Sequence, residues 1–109
     1  MTDQIAITSA SALVPTKNAS RYLQQLCKHW SHNLEVVFTA EQGKITFPKM
    51  AFGKNYPADA TVTLKAREAE LETVVRASDP EQLDGVKGAV AKHLDRFAFR
   101  EAPLPFNWR

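Results

Sequence analysis

Apolar and polar residues alternate through the first stretch of the chain, over residues 4–14, and this places Ile5, Ile7 and Leu13 on one face of a predicted strand. Pro15 and Thr16 end it. The period then lengthens: Ala19, Leu23, Leu26 and Trp30 recur at helical spacing, which predicts a helix over residues 17–32 with Thr16 as its N-cap and Asn33 as its stop. Alternation returns at Leu34, Val36 and Phe38. Glu41-Gln42-Gly43 reads as a turn, and Ile45 and Phe47 supply the returning strand. From Pro48 to Asp59 two readings stay open, since Met50 and Phe52 fit a strand whereas Gly53, Asn55 and Pro57 fit a loop. Residues 60–67 and 71–77 read as a hairpin around Glu68-Ala69-Glu70, with Val62 and Leu64 facing inward.

The last helix has the clearest start. Ser78-Asp79-Pro80-Glu81 offers a capping box, a proline in the first turn, and acids at the end the helix dipole favours. Leu83, Val86, Val90, Leu94 and Phe97 form its apolar stripe. The order is therefore β-α-β-β-β-β-α. Both stripes are buried most simply by two helices on one face of an antiparallel sheet of four to five strands. The expectation is one two-layer α+β domain over residues 1–109, with residues 101–109 as an aromatic, proline-containing C-terminal tail.

Composition agrees with a globular domain, at 44% hydrophobic and 24% charged residues. No basic, apolar leader opens the chain and no run nears the roughly 18 apolar residues of a membrane span, so the expectation is a soluble, cytoplasmic protein without a membrane partner. A single cysteine, Cys27, permits no intrachain disulfide. Net charge is +2 but unevenly placed: +3 over residues 1–58, −4 over 59–84 and +3 over 85–109. Two basic segments that meet on one side would attract an anion.

Candidate chemistry is sparse. Cys27, His29 and His32 are metal-ligand types, but Cys27 and His29 project roughly 160° apart around a helix, so they do not share an ion; His29, His32 and His93 would make at most a weak site. Cys27 lies mid-helix, away from the end that would lower its pKa, and no serine sits in a nucleophile elbow. Glu68, Glu70 and Glu72 cluster at a hairpin tip, where carboxylates are solvated. Gly85-Val86-Lys87-Gly88 has the spacing of an RNA-binding glycine loop but falls inside a capped helix, and core packing does not explain its glycines. Arg96-Phe97-Ala98-Phe99-Arg100 interleaves aromatic and basic residues without a wider basic field, which argues against nucleic acid. No cofactor motif appears. An enzyme is the weaker expectation.

The pattern favours one flank. Tyr22, Gln25 and His29 share a side of the first helix next to Trp30, and His93 and Arg96 share a side of the last, joined by Arg100 if the helix continues. With adjacent helices these residues line a groove, roofed by Leu104, Phe106 and Trp108 in the tail. Tyr22, His29, Trp30, His93, Arg96, Arg100 and Trp108 are thus the candidate ligand-binding residues, suited to an anionic or aromatic ligand. Against this stands the plainer expectation that the tail only covers an edge of the core. The alternatives are a protein-interaction or homodimer module and, behind it, a metal-dependent or nucleic-acid-binding protein.

Residues 19–30, ASRYLQQLCKHW, and residues 93–101, HLDRFAFRE, with Trp108 beyond, resemble a family of short bacterial proteins, domain of unknown function 2218. The resemblance covers nearly the whole chain. It implies no activity and carries over no catalytic residues. Some members are associated with siderophore-interacting, ferric-reductase-type proteins, which implies an accessory role in iron use, through an anionic small molecule or a protein partner.

Overall fold

The fold was obtained as a computed structural model, which describes residues 7–109; the expectation for Ile5 lies outside the described residues. It is an α+β fold in which β1 (Thr8–Pro15), α1 (Ala19–Trp30), β2 (Glu35–Phe38), β3 (Gln42–Phe47), β4 (Ala60–Ala66), β5 (Glu70–Ala77) and α2 (Pro80–Phe97) follow one another. The strands form one antiparallel sheet in the order β1-β5-β4-β3-β2. Both helices lie on the same face, α1 over β3 and β4 and α2 over β5 and β1. Ile45, Val62, Leu64, Leu71 and Val75 point from the sheet into the core, where they meet Leu23 and Leu26 of α1 and Val86, Val90 and Leu94 of α2. No described residue outside the sheet packs over its other face.

That layering decides which face of β1 is covered. Ile7 and Leu13 are 63% and 54% exposed, and the buried side of β1 is Ala10, Ala12 and Val14. Alternation identifies two faces without saying which is covered, and here the bulkier set is the outward one. Small side chains are what let α2 and the tail approach this edge strand.

The turns shift by a residue or two. The β2–β3 connection closes at Thr39, whose hydroxyl accepts from the backbone N–H groups of Glu41 and Gln42, so Gln42 and Gly43 belong to β3 rather than to the turn. Gly43 is needed for a different reason: a Cβ there would stand 2.8 Å from Cys27 Sγ and 3.1 Å from Phe38 Cβ. The α1 boundary moves too. Asn18 precedes the helix without a side-chain cap, and Thr16 Oγ1 instead accepts from Asn18 N–H at 3.0 Å.

The box opening α2 is offset by one position from Ser78 and Glu81. Asp79 Oδ1 accepts from Glu81 N–H (2.8 Å) and Gln82 N–H (3.3 Å), while the buried Gln82 side chain returns to Ser78 N–H at 2.8 Å. Gln82 Nε2 also donates to Ala58 O, tying the helix start to the 48–59 segment. Glu81 is freed to pair with Lys54 at 2.9 Å.

Residues 48–59 form a loop. It is pinned by Tyr56, which is buried, and by Phe52, which stacks on Phe47 with ring centres 5.8 Å apart. Phe52 lies 3.7 Å from where a Gly85 Cβ would stand, so one glycine of the Gly85–Gly88 run faces this loop and the other faces open space. Both lie inside the uninterrupted α2, which removes the resemblance to an RNA-binding loop.

Candidate functional site

α1 and α2 run antiparallel across the sheet, the start of α1 beside the end of α2. On α1 the i, i+4, i+8 series Arg21, Gln25 and His29 shares one stripe, and on α2 the series Ala89, His93 and Phe97 does the same. The seam between them brings together most of the predicted flank. His29 and His93 stand with ring centres 5.2 Å apart, Trp30 is 4.8 Å from His93, and Phe97 meets His29 edge-on at 5.8 Å. Trp30 packs edge-on against Phe47 at 5.0 Å, which fixes it as the wall between seam and core. His93 Nδ1 lies 2.7 Å from Ala89 O; a carbonyl only accepts, so Nδ1 carries the proton and Nε2 is the nitrogen left over in the neutral ring.

The electrostatics around His29 are one-sided. Partial desolvation lowers the pKa of His29, and the positive charges of His93, Arg96 and His32 lower it further. No carboxylate contributes to that shift. Among the described residues Arg21, Arg96 and Arg100 enter no salt bridge. Gln25 adds a buried side-chain oxygen with no hydrogen-bond partner. Its amide can rotate half a turn to present N–H groups instead.

At the other end, Tyr22 splits from the histidines. With Arg21, Phe97, Phe99 and Arg100 it lines a hollow of about 140 Å³. Phe99 is 72% exposed, with the Arg100 guanidinium 5.6 Å from its ring centre. Helical projection stops being a guide there, because α2 ends at Phe97 and the chain turns.

Behind the hollow sits Glu101. Its Oε2 accepts from Tyr22 Oη, from Thr16 Oγ1 (3.1 Å) and from Asn18 Nδ2 (3.1 Å). The Tyr22 bond, followed by those from Asn18 and Thr16, holds the carboxyl below its usual range against the opposing effect of burial. The same bond, then burial and the Glu101 charge, pushes the Tyr22 phenol up. α1 has no acid in its own first turn, and Glu101 brings one there from the far end of the chain.

Trp108 is not part of the seam. Arg109 exchanges backbone hydrogen bonds with Ser11 of β1, at 2.8 and 3.0 Å, and Leu104 N–H donates to Asp95 Oδ1. Asp95 projects roughly 160° from His93 around α2, so the tail runs along the flank of the helix away from α1. Trp108 stacks on Phe106 at 5.4 Å and lies under Lys87 Nζ at 5.5 Å. The proposed roof of Leu104, Phe106 and Trp108 therefore covers the β1 edge instead.

Cys27 is fully buried against β3, its thiol pushed up to about 11 by burial, on the opposite side of α1 from the exposed His29. Among the described residues no group of three or more His, Cys, Asp or Glu side chains is placed to hold a metal ion, and no helix is long and apolar enough to cross a membrane. A larger depression, about 430 Å³, lies on the uncovered sheet face between β2, β3 and β4. Lys44 and Lys65 are its charged lining, and it lacks the convergence of arginine, histidine and aromatic groups found in the seam.

Sequence reasoning missed Arg21, Glu101 and the hydroxyl–amide clamp on it. Arg21 was legible, since it stands one turn before Gln25 in the flank already read. Glu101 was not, because its partners are 79 to 85 residues away in sequence.

The structure is similar to the NMR structure of PA4090 from Pseudomonas aeruginosa, with a TM-score of 0.72 and 30% sequence identity over 93% of this chain and 94% of that one. No curated protein matches the chain. The model of the family described as "uncharacterized protein conserved in bacteria (DUF2218)" matches residues 11–109, and the chain belongs to that family.

Proposed function

We propose that the chain is a small non-enzymatic binding or accessory domain that takes an anionic ligand, or an acidic segment of a partner, in the seam between α1 and α2. One observation carries this: Arg21, Arg96, Arg100, His29 and His93 gather along one seam with no carboxylate charge acting on His29. Positive charge so placed disfavours the imidazolium form of His29, and an anion relieves that repulsion. Tyr22, Trp30 and Phe97 supply flat apolar walls beside the charge, as small-ligand sites do. The hydroxyl–carboxylate pair at the seam's end, Tyr22 with Glu101, has its phenol pKa raised, which favours a structural link over a nucleophile and binding over catalysis.

The test is thermal unfolding with inorganic pyrophosphate. At tenfold above its Kd a ligand that binds only the folded state raises Tm by roughly 5 °C or more in a domain of this size. The wild type should show that rise, and an Arg96→Ala/Arg100→Ala variant with an unchanged melt in buffer should lose it. No rise in the wild type refutes the reading. The finer possibility, a ferric chelate as the anion in an accessory iron role, rests on the family association. It is tested by substituting a ferric chelate for pyrophosphate in the same melt.

A further inference from the structure

At one end of the seam lies the hollow lined by Arg21, Tyr22, Phe97, Phe99 and Arg100. Its volume, about 140 Å³, is far below the roughly 300 Å³ at which pockets for larger ligands begin. It is close to the approximately 150 Å³ of an apolar cavity that holds a single benzene ring. Three aromatic side chains line it, and Phe99 among them remains exposed beside the opening. Arg21 and Arg100, one from each helix region, line the same space, and among the described residues neither enters a salt bridge. Glu101, the nearby carboxylate, is not in the lining, and its Oε2 is engaged by Thr16, Asn18 and Tyr22.

We infer that this hollow binds a single aromatic ring bearing a carboxylate, the ring between Phe97, Phe99 and Tyr22 and the carboxylate between Arg21 and Arg100. The inference rests on the reading of the seam as an anion site and specifies its ligand class. Ring and charge are both required. Guanidinium forks match a carboxylate geometrically, and aromatic walls reward a flat ring over an aliphatic chain of equal charge.

Calorimetric titration with benzoate, acetate and benzamide, joined to intermolecular NOEs from the benzoate ring, tests it. Benzoate should saturate with NOEs to Phe97 and Phe99, at least about tenfold tighter than either acetate or benzamide, a gap of about 1.4 kcal/mol. Arg21→Ala and Arg100→Ala should each weaken benzoate by about tenfold or more, as loss of one charge-assisted bond does. Both arginines are exposed, so the variants should keep the wild-type amide spectrum. Phe99→Ala should weaken benzoate by a larger factor than it weakens pyrophosphate. Pyrophosphate binding that persists while benzoate shows no saturation overturns the ring site and leaves the anion seam standing. Loss of both overturns both. Benzoate binding that is indifferent to Arg21 and Arg100, or that gives NOEs elsewhere, also overturns it.

Discussion

Glu101 links the end of α2 to the corner where β1 becomes α1, and its protonation decides whether that link is made. Its folded pKa lies below the ordinary carboxylate value, so its contribution is present above the unfolded pKa and is lost as pH falls through the folded one. Tyr22 has the opposite sign: its pKa is raised, so the link holds below the unfolded phenol value and fails as pH rises through the folded one. Urea melts should show an acid-side loss of stability that is reduced in Glu101→Gln. Tyr22→Phe removes one bond to a charged acceptor and should cost about 1.5–3 kcal/mol near neutral pH. Two glycines make opposite predictions. Gly88 faces open space inside α2, so Gly88→Ala should stabilise by about 1 kcal/mol through helix propensity alone. Gly43→Ala should destabilise by about 1–3 kcal/mol, because the new methyl meets Cys27 Sγ and Phe38 in a closed core. Equilibrium unfolding of the two variants against wild type checks both. His29 supplies a titration of its own: a bound anion favours the imidazolium, so its pKa should rise on binding and affinity should increase as pH falls through the interval between free and bound values. Ring-proton NMR shifts with and without pyrophosphate measure this.

Among the elements, the two helices were the most readable and the edges of the sheet the least. The stripes Leu23–Leu26–Trp30 and Val86–Val90–Leu94 face the core as spacing requires, because a helix shows only one apolar side. Truncating either centre, Leu26→Ala or Leu94→Ala, should cost about 2–5 kcal/mol by the same denaturation assay. The covered face of β1 was not legible, because an edge strand beside a closely packed helix carries alanines inward and leaves the larger Ile7 and Leu13 outward. The seam was legible as far as periodicity extends: Tyr22, His29, Trp30, His93 and Arg96 follow from helical projection. Past Phe97 that regularity ends, and Phe99, Glu101 and Trp108 are placed by a turn and by contacts with β1 and α1 that no local pattern encodes. The tail is the clearest instance. Its aromatic content suits a roof over the seam, but backbone pairing of Arg109 with Ser11 draws it to the opposite side of α2.

Across the whole molecule the two sides of the sheet are chemically different. The helical side carries the seam with its arginines and histidines. The uncovered side presents Thr46, Thr61, Thr63 and Val74, while exposed apolar residues stand at opposite edges, Ile7 just before β1 and Leu13 on it, Val37 on β2. They form no continuous apolar patch. The uneven charge along the chain thus resolves in space: parts of the two basic segments, Arg21 with Arg96 and Arg100, converge at the helix pair. Assigned amide and side-chain NMR shifts, followed while pyrophosphate is titrated into the full chain, compare the two sides directly. Saturable changes should concentrate at Arg21, Gln25, His29, His93, Arg96 and Arg100, with Thr61, Thr63 and Val74 unmoved. Changes centred on the sheet face, or none along the helix seam, would contradict the assignment of the site.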